Sequence, residues 1–132
     1  MIIVDASVIA SVLLSFNESD TRLRSLLLRQ EMAAPSHVNL EVMSVFRKQC
    51  RKGAITEERV AMALVDLGQF PIERMPTAAL ETRIWELRHN FTPYDAAYVA
   101  LAERFRAELW TFDRKLAGAP GAECVFRVPE PG

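Results

Sequence analysis

Four acidic residues, Asp5, Glu41, Asp95 and Asp113, are spread along a chain of 132 residues. Each stands where an α/β fold could gather it with the others. Asp5 ends the apolar run Met1-Ile2-Ile3-Val4, and Asp113 follows Leu109-Trp110-Thr111-Phe112. Asp95 lies just inside the helix-like segment Thr92-Pro93-Tyr94-Asp95-Ala96-Ala97, and Glu41 interrupts the apolar segment from Val38 to Phe46. Carboxylates brought together beyond buried strands repel one another and lose hydration. A divalent cation, which takes oxygen ligands, is the usual remedy. Ser7 and Thr111 are small hydroxyl residues beside the same positions, able to orient a carboxylate or a metal-bound water.

Each acid also has an ordinary explanation. Asp5 suits the N-cap of a following helix. Asp95, three residues after Thr92, matches a capping box and suits the helix dipole. Asp113, before Arg114-Lys115-Leu116, can be a turn or cap residue. Glu41 fits least well. It lies on the rim of an apolar face formed by Val38, Val42, Val45, Phe46 and Gln49, and its i+3 and i+4 neighbours are Ser44 and Val45. A helical ion pair is therefore absent in that direction. Capping accounts for the acids singly but poorly for the four together.

Other polar residues carry less. His37 and His89 stand near a helix start and a helix end, without metal-binding spacing or a Ser or Cys partner. Arg47, Lys48, Arg51 and Lys52 form a basic run on the helix that carries Glu41; it reads as a solvated face or as an edge contacting phosphates. Trp85 and Trp110 read as core or subunit interface. The apolar stripes from Val8 to Phe16 and Val60 to Leu67 read equally as core or as surfaces for a partner protein or second subunit.

The length suits one domain over residues 1–132 with a real core. Half the residues are apolar and a quarter charged, as in soluble globular proteins. A net charge of -1 gives no general attraction to nucleic acid, although a local basic stripe can supply it. Cys50 and Cys124 form no CxxC or zinc spacing. A reduced, cytoplasmic protein is the simplest reading, a structural disulfide is the unsupported alternative, and no redox role for either thiol is legible. Ala6 to Phe16 is apolar or small, but no basic region precedes it and Asp5 breaks the run, so it reads as core and not as a signal peptide. No stretch approaches the roughly 20 apolar residues of a membrane span.

The elements that must position the acids follow from periodicity and punctuation. Met1 to Val4 reads as a buried strand, and Val8, Ile9, Val12, Leu13 and Phe16 recur at helical spacing. Asn17 to Asp20 breaks the pattern and caps a helix through Arg29. Glu31 to Ala34 is a short strand ended by Pro35. Ser36 is expected to cap a helix to Lys52, with Gly53 as its stop. Thr56 opens a helix ending near Gly68, Phe70 to Arg74 is an edge strand, and Pro76 to His89 is helical. Thr92, with Pro93 at the first helical position, opens a helix to about Arg106. Leu109 to Phe112 and Cys124 to Val128 are strands. Such alternation predicts an α/β fold, a mostly parallel sheet with helices on both faces. Ligands in these sheets sit beyond the carboxyl ends of the strands, where strand order reverses.

Four segments together carry a family resemblance: Ile2-Ile3-Val4-Asp5-Ala6-Ser7, Leu40-Glu41-Val42, Thr92-Pro93-Tyr94-Asp95-Ala96-Ala97-Tyr98-Val99-Ala100-Leu101-Ala102, and Trp110-Thr111-Phe112-Asp113-Arg114-Lys115-Leu116. The chain resembles a PIN domain, more narrowly a VapC-type ribonuclease toxin of a type II toxin–antitoxin system. The order and rough spacing of the acids cover essentially the whole chain, and the Thr92 to Tyr98 segment is the most specific. The resemblance implies a three-layer α/β/α sandwich, RNA cleavage dependent on Mg²⁺ or Mn²⁺, a homodimer, and inhibition by a VapB-type antitoxin. It places Asp5 and Asp95 as the firmest metal ligands, with Glu41 and Asp113 completing the set; Arg47, Lys48 and Arg51 are candidates to guide the RNA backbone. Two positions depart from the common pattern: Ser7, where many relatives carry Asn, and the bulky Phe112 before Asp113. Neither removes a carboxylate. A PIN nuclease acting in RNA processing is the nearest alternative. Phosphotransfer enzymes of the haloacid-dehalogenase kind want a second Asp where Ser7 stands. Receiver domains want a mid-chain Asp, where this chain has Arg51-Lys52-Gly53.

Overall fold

Three consecutive β-branched residues make the central strand, and all three are buried, as in a strand covered on both faces. The computed structural model describes residues 1–15 and 17–130. Its elements run β1 (Ile2–Val4), α1 (Ala6–Leu14), α2 (Glu18–Leu28), β2 (Met32–Pro35), α3 (Val38–Arg51), α4 (Glu57–Gln69), β3 (Ile72–Met75), a 3-10 turn (Ala78–Leu80), α5 (Glu81–Glu86), α6 (Pro93–Phe105), β4 (Leu109–Trp110), α7 (Arg114–Gly118) and β5 (Phe126–Arg127). The five strands form one sheet in the order β3-β2-β1-β4-β5, and every pairing is parallel. The chain first steps outward from β1 to β3, then crosses back to β4 and β5 on the other side of β1. Right-handed crossovers place the helices of these two halves on opposite faces of the sheet. On one face α1 packs against α2, α3 and α4; on the other α6 lies across β1, β2 and β4, with α5 against it. This is the α/β sandwich expected from the sequence, with a wholly parallel sheet.

Helix starts follow the expected chemistry at three places. Asn17 accepts from the Asp20 N–H at 2.8 Å, Thr56 from Arg59 at 3.2 Å and Thr92 from Asp95 at 3.2 Å. Gly53, at φ +73, follows the end of α3 in the left-handed conformation that glycine adopts without strain. Ser36 does not cap α3. Its N–H donates to the Met75 carbonyl at 2.8 Å, tying it to the end of β3, and His37 takes the cap position without a side-chain cap bond.

Some elements are shorter than the apolar runs that signal them. β4 stops at Trp110, β5 keeps two residues of the expected five, and the Pro76 to His89 helix becomes a 3-10 turn followed by α5. There the Leu87 N–H is shared among the carbonyls of Arg83, Ile84 and Trp85, and the last turn tightens and ends. The α1 stripe Val8, Ile9, Val12 and Leu13 is core, not a partner surface; Phe16, assigned to the same stripe, lies outside the described residues. In α4, Ala63 and Leu67 are buried while Met62 and Val65 are exposed. Trp110 is core, but Trp85 is 65% exposed beneath the Arg88 guanidinium, 4.6 Å from its ring centre. Among the described residues no helix is long and apolar enough to cross a membrane.

Helix α3 carries Glu41, and its buried face is Val38, Val42 and Phe46, packed toward α1. Phe46 is 1% exposed, so Phe46→Ala is expected to cost about 3–5 kcal/mol of stability. Urea denaturation measures it. A loss below about 1 kcal/mol would mean α3 is not anchored by this face.

Candidate active site

Asp5 leaves the carboxyl end of β1, and Asp113 follows β4 by three residues. The two strands are neighbours at the point where strand order reverses, the place where open parallel sheets bind ligands. The Asp5 N–H donates to the Trp110 carbonyl at 3.0 Å, fixing the two strand ends together. Both acids are also caps. One Asp5 oxygen accepts from the N–H groups of Ser7 and Val8, and Asp113 accepts from those of Lys115 and Leu116.

The Asp5 carboxylate is 7% exposed and is further bound by two hydroxyls. Ser7 Oγ donates to one oxygen at 2.5 Å, and Thr111 Oγ1 donates to the other. Each hydroxyl then accepts a backbone N–H from the loop after β4: Ser7 from Phe112 at 3.1 Å, Thr111 from Asp113 at 2.9 Å. Four donors do not offset desolvation, and burial holds the Asp5 carboxyl above its ordinary value.

Glu41 comes from the first turns of α3 and Asp95 from the first turn of α6. With Asp5 and Asp113 they line one cavity of about 590 Å³, together with Ser7, His37, Leu40, Ser44, Tyr94 and Tyr98. Among the described lining residues there are four carboxylates and no Lys or Arg. Burial raises the Asp95 pKa most, and the negative charges of Glu41 and Asp113 raise it further. Asp95 therefore feels Glu41 and Asp113 across the cavity, and positive charge is what the lining lacks. Hard oxygen donors of this kind suit Mg²⁺ or Mn²⁺. As they stand, no group of three or more His, Cys, Asp or Glu among the described residues is arranged to hold an ion. The Asp5 oxygens are engaged by the Ser7 and Thr111 hydroxyls, and Glu41 Oε1 faces His37.

His37 is the residue that sequence reasoning set aside. Its Nε2 lies 3.2 Å from Glu41 Oε1, although neither atom has an aligned hydrogen bond. The helical partner of Glu41 stands four residues before it, not after, and the i−4 spacing was the available signal. The imidazole meets two tyrosine rings edge-on, Tyr94 at 5.5 Å and Tyr98 at 5.4 Å between centres. Tyr98 is 1% exposed, and its hydroxyl has no aligned partner. Burial, then the negative charges of Glu41, Asp5 and Asp95, hold that phenol neutral. His89 is exposed and outside the cavity.

Arg47, Lys48 and Arg51 are exposed on α3 and do not line the cavity; they continue along the helix beyond Ser44. Phe112 lines a second cavity with Ser11, Asn17 and Asp20 and is absent from the lining of the one that holds the acids. Both cysteines are free. Burial pushes the Cys124 thiol up to about 11, which leaves little reactive thiolate at neutral pH.

The PIN domain family profile matches residues 2–121. The chain belongs to the PIN-domain family, in its VapC branch. It is 34% identical over 128 residues to VapC ribonuclease Mb0985 of Mycobacterium bovis, covering 97% of this chain and 98% of that protein. It is 36% identical over 127 residues to ribonuclease VapC1 of Mycobacterium tuberculosis, covering 96% of each. The solved structure of VapBC2 from Rickettsia felis, bound to a DNA fragment from its promoter, shares the fold at a TM-score of 0.69 and 16% identity, over 98% of this chain and 100% of that one. The PIN match takes in all four acids, and Tyr94 and Tyr98 with them.

In this PIN domain the folded-state pKa values of Asp5 and Asp95 lie above their ordinary 3.8. The native state then holds more protons than the unfolded state above that pH, and stability falls as pH rises. The favourable contribution is complete below about 3.8 and lost as pH passes the raised values. Chelator-treated protein should therefore lose stability through this window more steeply than its Asp5→Asn variant, since Asn still caps α1 but does not titrate. Denaturant titrations at stepped pH give both slopes; equal slopes would show that the Asp5 carboxyl is not raised.

Proposed function

We propose that this chain is an endoribonuclease toxin that hydrolyses RNA phosphodiester bonds with a carboxylate-bound Mg²⁺ or Mn²⁺, and that a VapB-type antitoxin restrains it. The observation that carries the reading is the meeting of Asp5, Glu41, Asp95 and Asp113, from four separate segments, around one cavity at the switch point of the sheet. The ribonuclease names of the Mycobacterium relatives support the substrate class, and the VapBC2 assembly supports the antitoxin partner.

Asp5 and Asp95 would hold the ion, with Glu41 and Asp113 supporting. Both primary ligands are carboxyls whose charged form is disfavoured by burial, so a cation is where that cost is returned. Bound there, the ion would supply a water of lowered pKa and neutralise charge on the phosphate. Ser7 and Thr111 fix the plane of the Asp5 carboxylate by holding one oxygen each. His37 would support the Glu41 carboxylate, whose Oε1 lies 3.2 Å from its Nε2. Arg47, Lys48 and Arg51 would guide the RNA backbone, with binding that weakens as salt rises. A homodimer in the reducing cytoplasm, where free thiols persist, completes the proposal.

RNA cleavage should vanish in EDTA and return with Mg²⁺ or Mn²⁺. Asp5→Asn and Asp95→Asn should each lower it by more than about a hundredfold, beyond the usual loss from removing a group that only supports a ligand. Their folding is checked by circular dichroism. Cleavage that survives EDTA and both variants would overturn the metal-dependent reading.

A further inference from the structure

Buried polar atoms without an aligned partner are rare in folded proteins, because each costs about 1–3 kcal/mol. Among the described residues, three such atoms belong to side chains that line the acidic cavity: His37 Nε2, Glu41 Oε1 and the Tyr98 hydroxyl oxygen. They come from separate segments. His37 and Glu41 stand at the start of α3, and Tyr98 lies in α6, three residues after Asp95. His37 links the other two. Its Nε2 is 3.2 Å from Glu41 Oε1, and its ring meets the Tyr98 ring edge-on at 5.4 Å and 80°. The Glu41 side chain is 30% exposed although Oε1 is buried, so the exposed part lies elsewhere on that side chain. The three atoms are chemically complementary. An ionised carboxylate oxygen only accepts, a phenol donates, and imidazole donates from Nε2 in one tautomer. Packing does not call for the phenol oxygen. Tyr98 is 1% exposed, and phenylalanine would fill the same space without stranding a polar atom. After burial, the charge of Glu41 does most to keep that phenol protonated.

We propose that Tyr98 and His37 form a two-donor clamp on Glu41 Oε1, which leaves the second Glu41 oxygen to a divalent ion in the cavity. The inference rests on the metal-dependent reading above and adds the Tyr98 hydroxyl to the groups that set the ion's affinity. Holding one oxygen in place removes side-chain freedom that Glu41 would otherwise lose on meeting the ion. Asp5 is oriented in the same manner, its oxygens held by the Ser7 and Thr111 hydroxyls. With no Lys or Arg among the described lining residues, neutral donors are what can orient carboxylates here without cancelling the charge that attracts a cation. Tyr98 and His37 touch neither the ion nor RNA in this arrangement. They are positioning residues and act through Glu41.

The test is Mn²⁺ binding to the full chain without RNA, followed by loss of the free-ion electron paramagnetic resonance signal. Tyr98→Phe should weaken binding about tenfold or more, the usual effect of removing a group that orients a metal ligand. The change takes one oxygen from a buried ring, and circular dichroism checks that the variant folds. His37→Ala should weaken binding in the same way, and His37→Gln, which keeps an N–H donor, should restore much of the affinity. In a Glu41→Gln background Tyr98→Phe should have no further effect, because the clamp then has no carboxylate to hold. Unchanged Mn²⁺ affinity in Tyr98→Phe, or an equal loss with and without the Glu41 carboxylate, overturns the clamp and leaves the metal site standing. No Mn²⁺ bound by wild type overturns the metal-dependent reading and the clamp with it.

Discussion

The carboxylate of Asp5 is the point on which the active end of this molecule depends. It is 7% exposed and survives there because two hydroxyls and two backbone N–H groups point at it. Those hydroxyls are each used twice. Ser7 binds Asp5 and receives the Phe112 N–H, and Thr111 binds Asp5 and receives the Asp113 N–H. The loop after β4 is therefore set by the same groups that satisfy the buried acid at the end of β1. Removing the Thr111 hydroxyl would leave one buried Asp5 oxygen without its donor and loosen the segment that carries Asp113, at a cost typical of an unsatisfied buried group, about 1–3 kcal/mol.

That arrangement also settles how capping relates to chemistry. Asp5 and Asp113 do cap helices, and Asp95 sits in the first turn of one. Capping gives these acids their positions, since each cap lies at the carboxyl end of the sheet where the helices begin. It does not neutralise them: burial still raises Asp5, and burial with neighbouring charge raises Asp95. A cap on a solvated helix end would show neither effect. The excess of negative charge in the cavity is therefore a property of the gathering, and no single acid displays it alone.

Much of this was legible in the residues because the relevant signals are local. Strand β1, the caps at Asn17, Thr56 and Thr92, and the stop at Gly53 depend on neighbours a few positions apart. Asp5, Asp95 and Asp113 stand at element boundaries, so any parallel sheet brings them to one end. Glu41 stands out as an acid on an apolar rim, and its neighbour His37 lies four residues before it, on the side that the i+3 and i+4 positions do not reveal. What the sequence could not supply is tertiary. Strand ends depend on whether a partner continues, which is why β4 and β5 are shorter than their apolar runs. Periodicity also cannot tell core from open surface: α1 is buried along its stripe, whereas α4 leaves Met62 and Val65 exposed. Tyr94 and Tyr98 are four residues apart on one helix, yet the first is 62% exposed and the second 1%.

The distribution of charge along α3 completes the argument. An acidic cavity repels a polyanion, and a net charge of -1 supplies no overall attraction. Under the proposed reaction the attraction must be local. Helix α3 carries Glu41 in its first turn and Lys48 and Arg51 in its last. With a rise of about 1.5 Å per residue, the ten residues from Glu41 to Arg51 span about 15 Å. A strand lying along this helix would meet repulsion at one end and cationic side chains at the other, a separation longer than the screening distance of about 8 Å at physiological ionic strength. The two fields then act nearly independently, so the basic turn can hold a phosphate without cancelling the acidic charge that calls for an ion. Under the proposal, one rigid helix would keep the sites of backbone attraction and bond cleavage apart by a fixed distance.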